Sequence, residues 1–338
     1  MGSRFSIQPP ADYLLTRDVC SYGYFLLAPN RWDPDARALV RPLDLDDGPA
    51  TLTIAQPDAE VAPKPNRPRT RRALPPGTPG APLRILADRA LSRREIATAK
   101  RRIARMLQLD DAGVSAFHRA DPRWKSPKGD GRARLFRSPT FFEDLVKTVT
   151  SCNVAWPSTV RMNQRLCEVV NPAFPRPEQL ARRRASTLRA RCGVGYRDKR
   201  LVELASLVAR READPAWFED ESNSDDDVFN ALLRLPGIGP YAAGNVMQLL
   251  GRYSRLAIDT ESVRHGREVL GMTGEPKEIE RALAAHYEPF GAHKFRSYWF
   301  EVWAWYESRR GPAWTWEASK VGSSFTAAAF RADDQQRA

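Results

Sequence analysis

The sequence predicts an α+β protein in which a small antiparallel β-sheet precedes a mostly α-helical part. From about Ala11 to Gln56, short apolar or β-branched runs alternate with turn residues, a pattern typical of strands. After about residue 90, apolar residues recur instead at the three- and four-residue spacing of amphipathic helices. A chain of 338 residues can also bury a large core. We therefore expect a β-domain over residues 1–90, a helical domain over 91–317 and a disordered tail over 318–338.

The N-terminal sheet is predicted from short runs whose aromatic residues are expected to be core residues rather than ligand contacts. The predicted strands are Asp12–Leu15, Tyr22–Leu27, Ala38–Val40, Ala50–Ile54 and Leu83–Ala87. A Pro-rich insertion at about 57–82 precedes the last of these runs. Its basic residues are Lys64, Arg67, Arg69, Arg71 and Arg72. This composition fits either a disordered loop or an arm that binds phosphates non-specifically.

The helical part begins at Ser92, which can cap a helix together with Glu95 at the capping-box position. Thr140–Val149 is predicted as a strongly apolar, buried helix. Phe295–Tyr306 is predicted as an aromatic-rich helix, most of whose rings we expect in the core.

Composition narrows the classes of function. The formal net charge is +12 and the pI is near 9.8, which favours a polyanionic partner. The four cysteines lie far apart and the four histidines form no zinc-ligand pattern, so no metal site is expected and the thiols are expected to be reduced. No apolar run could span a membrane, and the N-terminus has no signal-peptide pattern.

The most informative stretch is a short turn between two helical patterns. It reads Pro236-Gly237-Ile238-Gly239-Pro240 and is too short for anything but a tight hairpin. Pro236 ends the first helix, and Pro240 suits the first turn of the second. Gly237 and Gly239 permit positive φ and close approach of another molecule, while Ile238 is expected to pack back between the helices. Backbone N–H groups beside a helix N-terminus can bind a phosphate, so the stretch predicts a helix–hairpin–helix that contacts a nucleic-acid backbone.

This hairpin is followed, about twenty residues later, by Asp259 at the start of another helical pattern. The combination resembles the HhH-GPD superfamily of DNA base-excision glycosylases. The resemblance implies a mostly helical HhH-GPD core after the sheet, and double-stranded DNA with a damaged base as the partner. It also implies a monomer, located in the nucleoid-containing cytoplasm of a bacterium or otherwise in the nucleus. No cofactor is expected, because no cysteine follows Cys192 to hold the iron–sulfur cluster of some members, although the hairpin could hold a monovalent cation.

Three further residues match the 8-oxoguanine branch of that superfamily. Asn153, in Ser151-Cys152-Asn153, matches the residue that fills the gap left by an extruded nucleotide. Tyr196 and Arg197, in Gly193-Val194-Gly195-Tyr196-Arg197, match a wedge residue and a residue that touches the opposite-strand base. Apart from the resemblance, Asn153 could simply end a helix and Tyr196 could be a packed loop aromatic.

Asp259 and Tyr241 are the candidate catalytic residues. A carboxylate beside C1′ of deoxyribose can stabilise an oxocarbenium-like transition state and orient the attacking water, whereas Asp259 could also be a plain helix N-cap. Members that also cut the backbone carry a lysine where this chain has Tyr241, and a phenol cannot form a Schiff base.

We therefore expect a monofunctional glycosylase, without lyase activity, that excises damaged purines, and alkylated purines in particular. The alternatives are an 8-oxoguanine glycosylase and a non-catalytic protein that binds DNA structures.

Overall fold

The computed structural model of the chain describes residues 2–57, 77–126 and 130–317. The basic residues of the predicted insertion, from Lys64 to Arg72, and the predicted tail over 318–338 lie outside the described residues. The described part joins one antiparallel sheet to a larger set of helices, and the α+β class is confirmed.

The sheet has the strand order β1-β5-β4-β3-β2, with every neighbouring pair antiparallel. Its strands are β1 Arg4–Ile7, β2 Arg31–Asp33, β3 Ala38–Leu45, β4 Gly48–Ala55 and β5 Leu83–Ala87. Side chains of β5 alternate between buried and exposed, as expected for a sheet with one face on a core. The last three predicted runs are therefore confirmed as strands.

Two of the predicted strands are wrong. Asp12–Leu15 is a turn that leads into a short helix, and Tyr22–Leu27 contains a 3₁₀ turn over Gly23–Leu26. A short apolar run cannot be assigned to strand or helix by periodicity alone. In the first case the Asp18 carboxylate accepts a hydrogen bond from the Leu14 N–H at 3.0 Å, which favours a helical turn at that point.

One short helix lies between β1 and β2, and the other helices follow the sheet. In chain order the helices are α1 Leu15–Val19, α2 Arg93–Leu107, α3 Val114–Ala120, α4 Phe141–Ser151, α5 Trp156–Val169, α6 Pro177–Ala181, α7 Ala185–Thr187, α8 Asp198–Ala209, α9 Pro215–Glu219, α10 Asp225–Leu233, α11 Pro240–Leu249, α12 Thr260–Glu268, α13 Pro276–Tyr287 and α14 Lys294–Arg310. The capping box of Ser92 and Glu95 at the start of α2 is confirmed. None of the described helices is long and apolar enough to cross a membrane.

Two large apolar cores organise these elements. The first joins the sheet to α2 and α14 through residues such as Leu52, Ile103 and Trp303. The second lies among α4, α5, α8, α10 and α11. Segments that are distant in sequence therefore meet where the N-terminal sheet, α4, α11 and α14 come together.

A buried ionic cluster ties α4 to the sheet. The Glu143 carboxylate lies 2.6 Å from the Arg41 guanidinium of β3 and 2.7 Å from the Lys147 ammonium, and all three side chains are at most 3% exposed. Removing Glu143 would leave two buried cationic groups without their counter-charge, so this carboxylate matters for how α4 packs against the sheet. The C-terminus of α4 leads directly to the Asn153 turn.

Candidate functional site

The predicted hairpin is present between α10 and α11. Ile238 is 5% exposed and packs back into the helical core, as predicted. Gly237 has φ +81°, which favours glycine, and the Ile238 N–H donates to the Leu235 carbonyl at 3.1 Å to close the turn. Pro240 occupies the first turn of α11, whose first N–H groups have no intrahelical acceptors. The turn therefore presents backbone donors next to exposed glycine.

Gly239 differs from the expectation of positive φ. Its φ is −97° and its ψ is −176°, an extended conformation that other residues adopt easily. A Cβ added at Gly239 would meet no atom of the other described residues within 4 Å, apart from its chain neighbours, whereas one at Gly237 would lie 3.2 Å from Cδ of Arg200. The open space at Gly239 is therefore on the outside of the protein, where another molecule can approach.

Asp259 is the N-cap of α12. Its Oδ1 accepts hydrogen bonds from the N–H groups of Glu261 and Ser262, both at 3.0 Å, and from the Ser262 hydroxyl at 3.2 Å. All three bonds use the same oxygen, and within the described residues Oδ2 makes no hydrogen bond. Oδ1 therefore caps α12, and Oδ2 is not used in the cap.

An aromatic cavity of about 260 Å³ opens beside Asp259. Its walls come from the 3₁₀ turn near the N-terminus, the α4–α5 connection, α11 and α14. The aromatic residues that line it are Tyr22, Tyr24, Trp156, Tyr241, Phe295, Tyr298, Trp299, Trp303 and Tyr306. Among the described residues that line this cavity, none carries a positive charge, and Asp259 and Glu261 carry negative charges.

Hydrogen bonds hold the walls of the aromatic cavity in place. The Tyr22 hydroxyl donates to Oδ1 of Asn245 at 2.8 Å, and the Tyr298 hydroxyl lies 2.7 Å from the Ser262 hydroxyl that bonds Asp259. The Trp299 indole N–H donates to the Ser21 carbonyl at 2.9 Å, and its ring centroid lies 4.8 Å from that of Tyr22. The rings are therefore fixed before any ligand enters.

A second, larger cavity of about 830 Å³, which we call the outer groove, runs along the hairpin. It is lined by Cys152, Asn153, Gly237, Gly239, Pro240, Ala242, Ile258, Val263, Arg264, Arg267, Glu268, Pro276 and Glu280 together with the residues shared with the aromatic cavity. The shared residues are Ser151, Val154, Tyr241, Asp259 and Thr260. The two candidate catalytic residues thus stand at the junction of the groove and the aromatic cavity.

The environment shifts the ionisation of both candidates. Burial raises the pKa of the Asp259 carboxyl above its usual value, and the nearby charge of Glu261 acts in the same direction, while hydrogen bonds from Ser262 and Glu261 lower it. Burial and the charge of Asp259 raise the pKa of the Tyr241 phenol well above its usual value. Tyr241 is therefore a neutral phenol at neutral pH. No lysine is among the described residues that line either cavity.

Of the predicted DNA-contacting residues, three line the outer groove, namely Asn153, Gly237 and Gly239. Asn153 is exposed, has φ +51° and lines the groove, and Tyr196 is 53% exposed. Arg197, by contrast, is only 6% exposed, and its guanidinium donates to main-chain carbonyl groups. This placement differs from the base contact that the resemblance implies.

Sequence reasoning missed the N-terminal contribution to the site. Tyr22 and Tyr24 are buried, as expected, but they also line the aromatic cavity with Gly23 between them. A Cβ at Gly23 would lie 3.0 Å from the Trp156 ring, so glycine lets that indole close one side of the cavity. The only sequence signal was the Tyr-Gly-Tyr pattern, which by itself says nothing of its distant neighbours. On α14, Trp299 lines the cavity as well, whereas Trp305 stacks on Arg264 at 3.7 Å.

Comparison with known proteins establishes the fold. No protein-family model matches the chain, and no curated protein matches its sequence. Among solved structures, the chain is similar to 3-methyladenine DNA glycosylase from Archaeoglobus fulgidus, with a TM-score of 0.63 and 15% identity over 88% of this chain and 98% of that one. It is similar to MBOgg1 in complex with a low-affinity DNA ligand, with a TM-score of 0.62 and 19% identity over 91% and 97% of the two chains. It is also similar to the apo form of 8-oxoguanine glycosylase/lyase from Clostridium acetobutylicum, with a TM-score of 0.56 and 15% identity over 83% and 93%. The chain therefore has the HhH-GPD glycosylase fold.

Proposed function

We propose that this protein is a DNA glycosylase that releases damaged bases from double-stranded DNA by hydrolysis. The observation that carries the proposal is the position of Asp259, whose carboxylate lies at the opening between an aromatic cavity and a hairpin-lined groove. A binding protein would need the groove and could use Asp259 as the cap of α12, but it would not need the second carboxylate oxygen beside an aromatic cavity. The similar solved structures, which are DNA glycosylases by name, support the same activity.

The geometry suggests how the reaction would proceed. The hairpin donors near Gly239 bind backbone phosphates, and the target nucleotide leaves the duplex so that its base enters the aromatic cavity. Its C1′ then lies at the junction, near Asp259. The carboxylate stabilises positive charge as the N-glycosidic bond breaks and orients the water that attacks C1′. Oδ1 remains bound to the start of α12, which keeps the other oxygen in place.

Water, rather than a protein amine, is proposed as the nucleophile. Tyr241 occupies the position at which an amine would form a Schiff base, and its raised phenol pKa keeps it protonated. A neutral phenol can donate a hydrogen bond to the sugar or the base, but it cannot form an imine. The absence of lysine from the described linings of both cavities supports a monofunctional enzyme.

The character of the aromatic cavity favours alkylated purines as substrates. Alkylation at a ring nitrogen gives a purine a positive charge, and electron-rich rings with nearby carboxylates attract a cation. The described lining offers such rings, Asp259 and Glu261, and no basic side chain that would repel the charged base. An 8-oxoguanine glycosylase is the second candidate, because Asn153 and Tyr196 match that branch, Asn153 lines the outer groove and Tyr196 is exposed.

A panel of duplexes, each with one modified base, tests the proposal directly. Free base would be quantified after incubation with the protein, and the same duplexes with the undamaged base serve as controls. We expect release of alkylated purines such as 3-methyladenine, with intact strands until the abasic site is cleaved chemically. Release of 8-oxoguanine alone would favour the second candidate. Tight binding with no release from any duplex would support a non-catalytic protein.

A further inference from the structure

Arg197 is buried next to Cys152 and Asn153, two residues that line the outer groove. It ends the 3₁₀ turn Gly195–Arg197 at the start of α8 and is 6% exposed. Its Nε donates to the Val149 carbonyl at 3.1 Å, and Nη2 donates to the Cys152 carbonyl and, at 3.4 Å, to the Asn153 carbonyl. The guanidinium is therefore directed at main-chain carbonyl groups.

These carbonyl groups belong to the end of α4 and to the turn that follows it. The last carbonyls of a helix have no intrahelical partners and carry partial negative charge, so a guanidinium stabilises them well. Asn153 has φ +51°, a conformation that costs energy for any residue with a side chain and persists only when its surroundings hold it. The bonds from Arg197 fix the main chain on both sides of this residue.

Arg197 also contacts the exposed ring of Tyr196. The centre of its guanidinium lies 4.5 Å from the ring centroid, and the guanidinium of Arg200 lies 5.3 Å from the same centroid. Arg200 in turn reaches the hairpin beside Gly237. Arg197 thus contacts both Asn153, the candidate gap-filling residue, and Tyr196, the candidate wedge residue.

We propose that Arg197 is a positioning residue that holds Asn153 and Tyr196 in the geometry needed for base extrusion, and that it does not read the opposite base. A reader would need donors that reach the surface, whereas Arg197 is 6% exposed and its Nε and Nη2 donate to main-chain carbonyl groups. Lysine cannot replace Arg197, because the single ammonium group of lysine cannot donate to three separate carbonyl groups in the way that the planar guanidinium does. The inference rests on the proposed function, since it assigns a role in the extrusion step of that reaction.

A double-mutant cycle tests the inference in the full-length chain. All variants would carry Asp259→Asn, so that base extrusion is measured without base release. The comparison covers Arg197→Ala, Asn153→Ala and the double variant. The fluorescence of 2-aminopurine beside the target base reports extrusion. We expect each single variant to lower the extent of extrusion by about tenfold and the double variant to be no worse than either, as for coupled neighbours. Arg200→Ala is the matched control, because it also contacts Tyr196 but makes no bond to these carbonyls, and its effect should add to that of Asn153→Ala.

Arg197→Lys keeps the positive charge and serves as a second variant in case Arg197→Ala fails to fold. We expect Arg197→Lys to lose base extrusion as well. Additive losses in the cycle, wild-type extrusion in Arg197→Ala, or a loss that depends on the base opposite the lesion would each overturn the inference. Base release by the wild-type protein from the same duplex reports the proposed function separately. If the wild-type protein extrudes the base but does not release it, the glycosylase proposal is contradicted and the double-mutant cycle can still be interpreted. If the wild-type protein does not extrude the base, both the glycosylase proposal and the role of Arg197 are overturned.

Discussion

Replacing Asp259 with asparagine should separate the two roles of this residue. Asparagine retains an oxygen at the Oδ1 position, which accepts the bonds from the N–H groups of Glu261 and Ser262 at 3.0 Å. Asparagine and aspartate are about equally good N-caps. The variant loses a favourable interaction with the helix dipole, worth about 0.3–1 kcal/mol, but it also removes a carboxylate that burial disfavours. The free energy of unfolding should therefore change by less than about 1 kcal/mol.

The chemical step should respond very differently. The amide has no negative charge for the oxocarbenium-like transition state and cannot activate water, so we expect base release to slow by about 10²–10⁴-fold. At about 1.36 kcal/mol for each factor of ten, this is a loss of roughly 2.7–5.4 kcal/mol of transition-state stabilisation. Asp259→Ala should lose the same activity and, in addition, about 1 kcal/mol of stability with the N-cap.

The assay is single-turnover base release with protein in excess over duplex, together with binding to the same duplex and chemical denaturation. Binding should be retained in Asp259→Asn, because the phosphate contacts do not involve this carboxylate. A rate within a few-fold of wild type in a normally folded Asp259→Asn variant would refute the reasoning, and Asp259 would then be only the N-cap of α12.

Three further predictions concern the nucleophile, the hairpin and pH. Borohydride should trap no covalent protein–DNA adduct, since Tyr241 stands where an amine would be needed, and efficient trapping would point to a lysine and a lyase. Gly239→Val should fold normally, because φ is −97° and an added Cβ would meet no atom of the other described residues within 4 Å, apart from its chain neighbours. It should nevertheless bind damaged and undamaged duplex about tenfold more weakly if its side chain blocks a phosphate. Unchanged duplex binding by Gly239→Val would show that the hairpin is structural only. Gly237→Ala should instead destabilise the fold by about 1–2 kcal/mol, because its φ is +81°. The rate of base release should fall as the pH drops, because Asp259 must be ionised to act. Since the pKa of Asp259 is raised, this fall should begin at a higher pH than for an exposed aspartate. A pH profile that follows an ordinary aspartate would argue against Asp259 as the ionised group.

Much of the local structure follows from the sequence because its signals are local. The hairpin is encoded by Pro236, Gly237 and Pro240, whose backbone preferences act within a few residues. The cap of α12 by Asp259 is likewise a contact between residues two and three positions apart. Such features need no information about the rest of the chain, and the sequence predicts them with a physical reason.

The aromatic cavity and the role of Arg197 could be decided only by the tertiary structure. Tyr22 was expected as a core aromatic on a strand, but its hydroxyl bonds Asn245, 223 residues away, and its ring contacts Trp299. Arg197 matched a base-contacting residue by type, but packing of α8 against α4 places carbonyl groups within its reach. An aromatic ring or a guanidinium group can pack in several environments with similar free energies of the local conformation. Which one it occupies depends on where distant segments bury their apolar faces, and no short window of sequence contains that information.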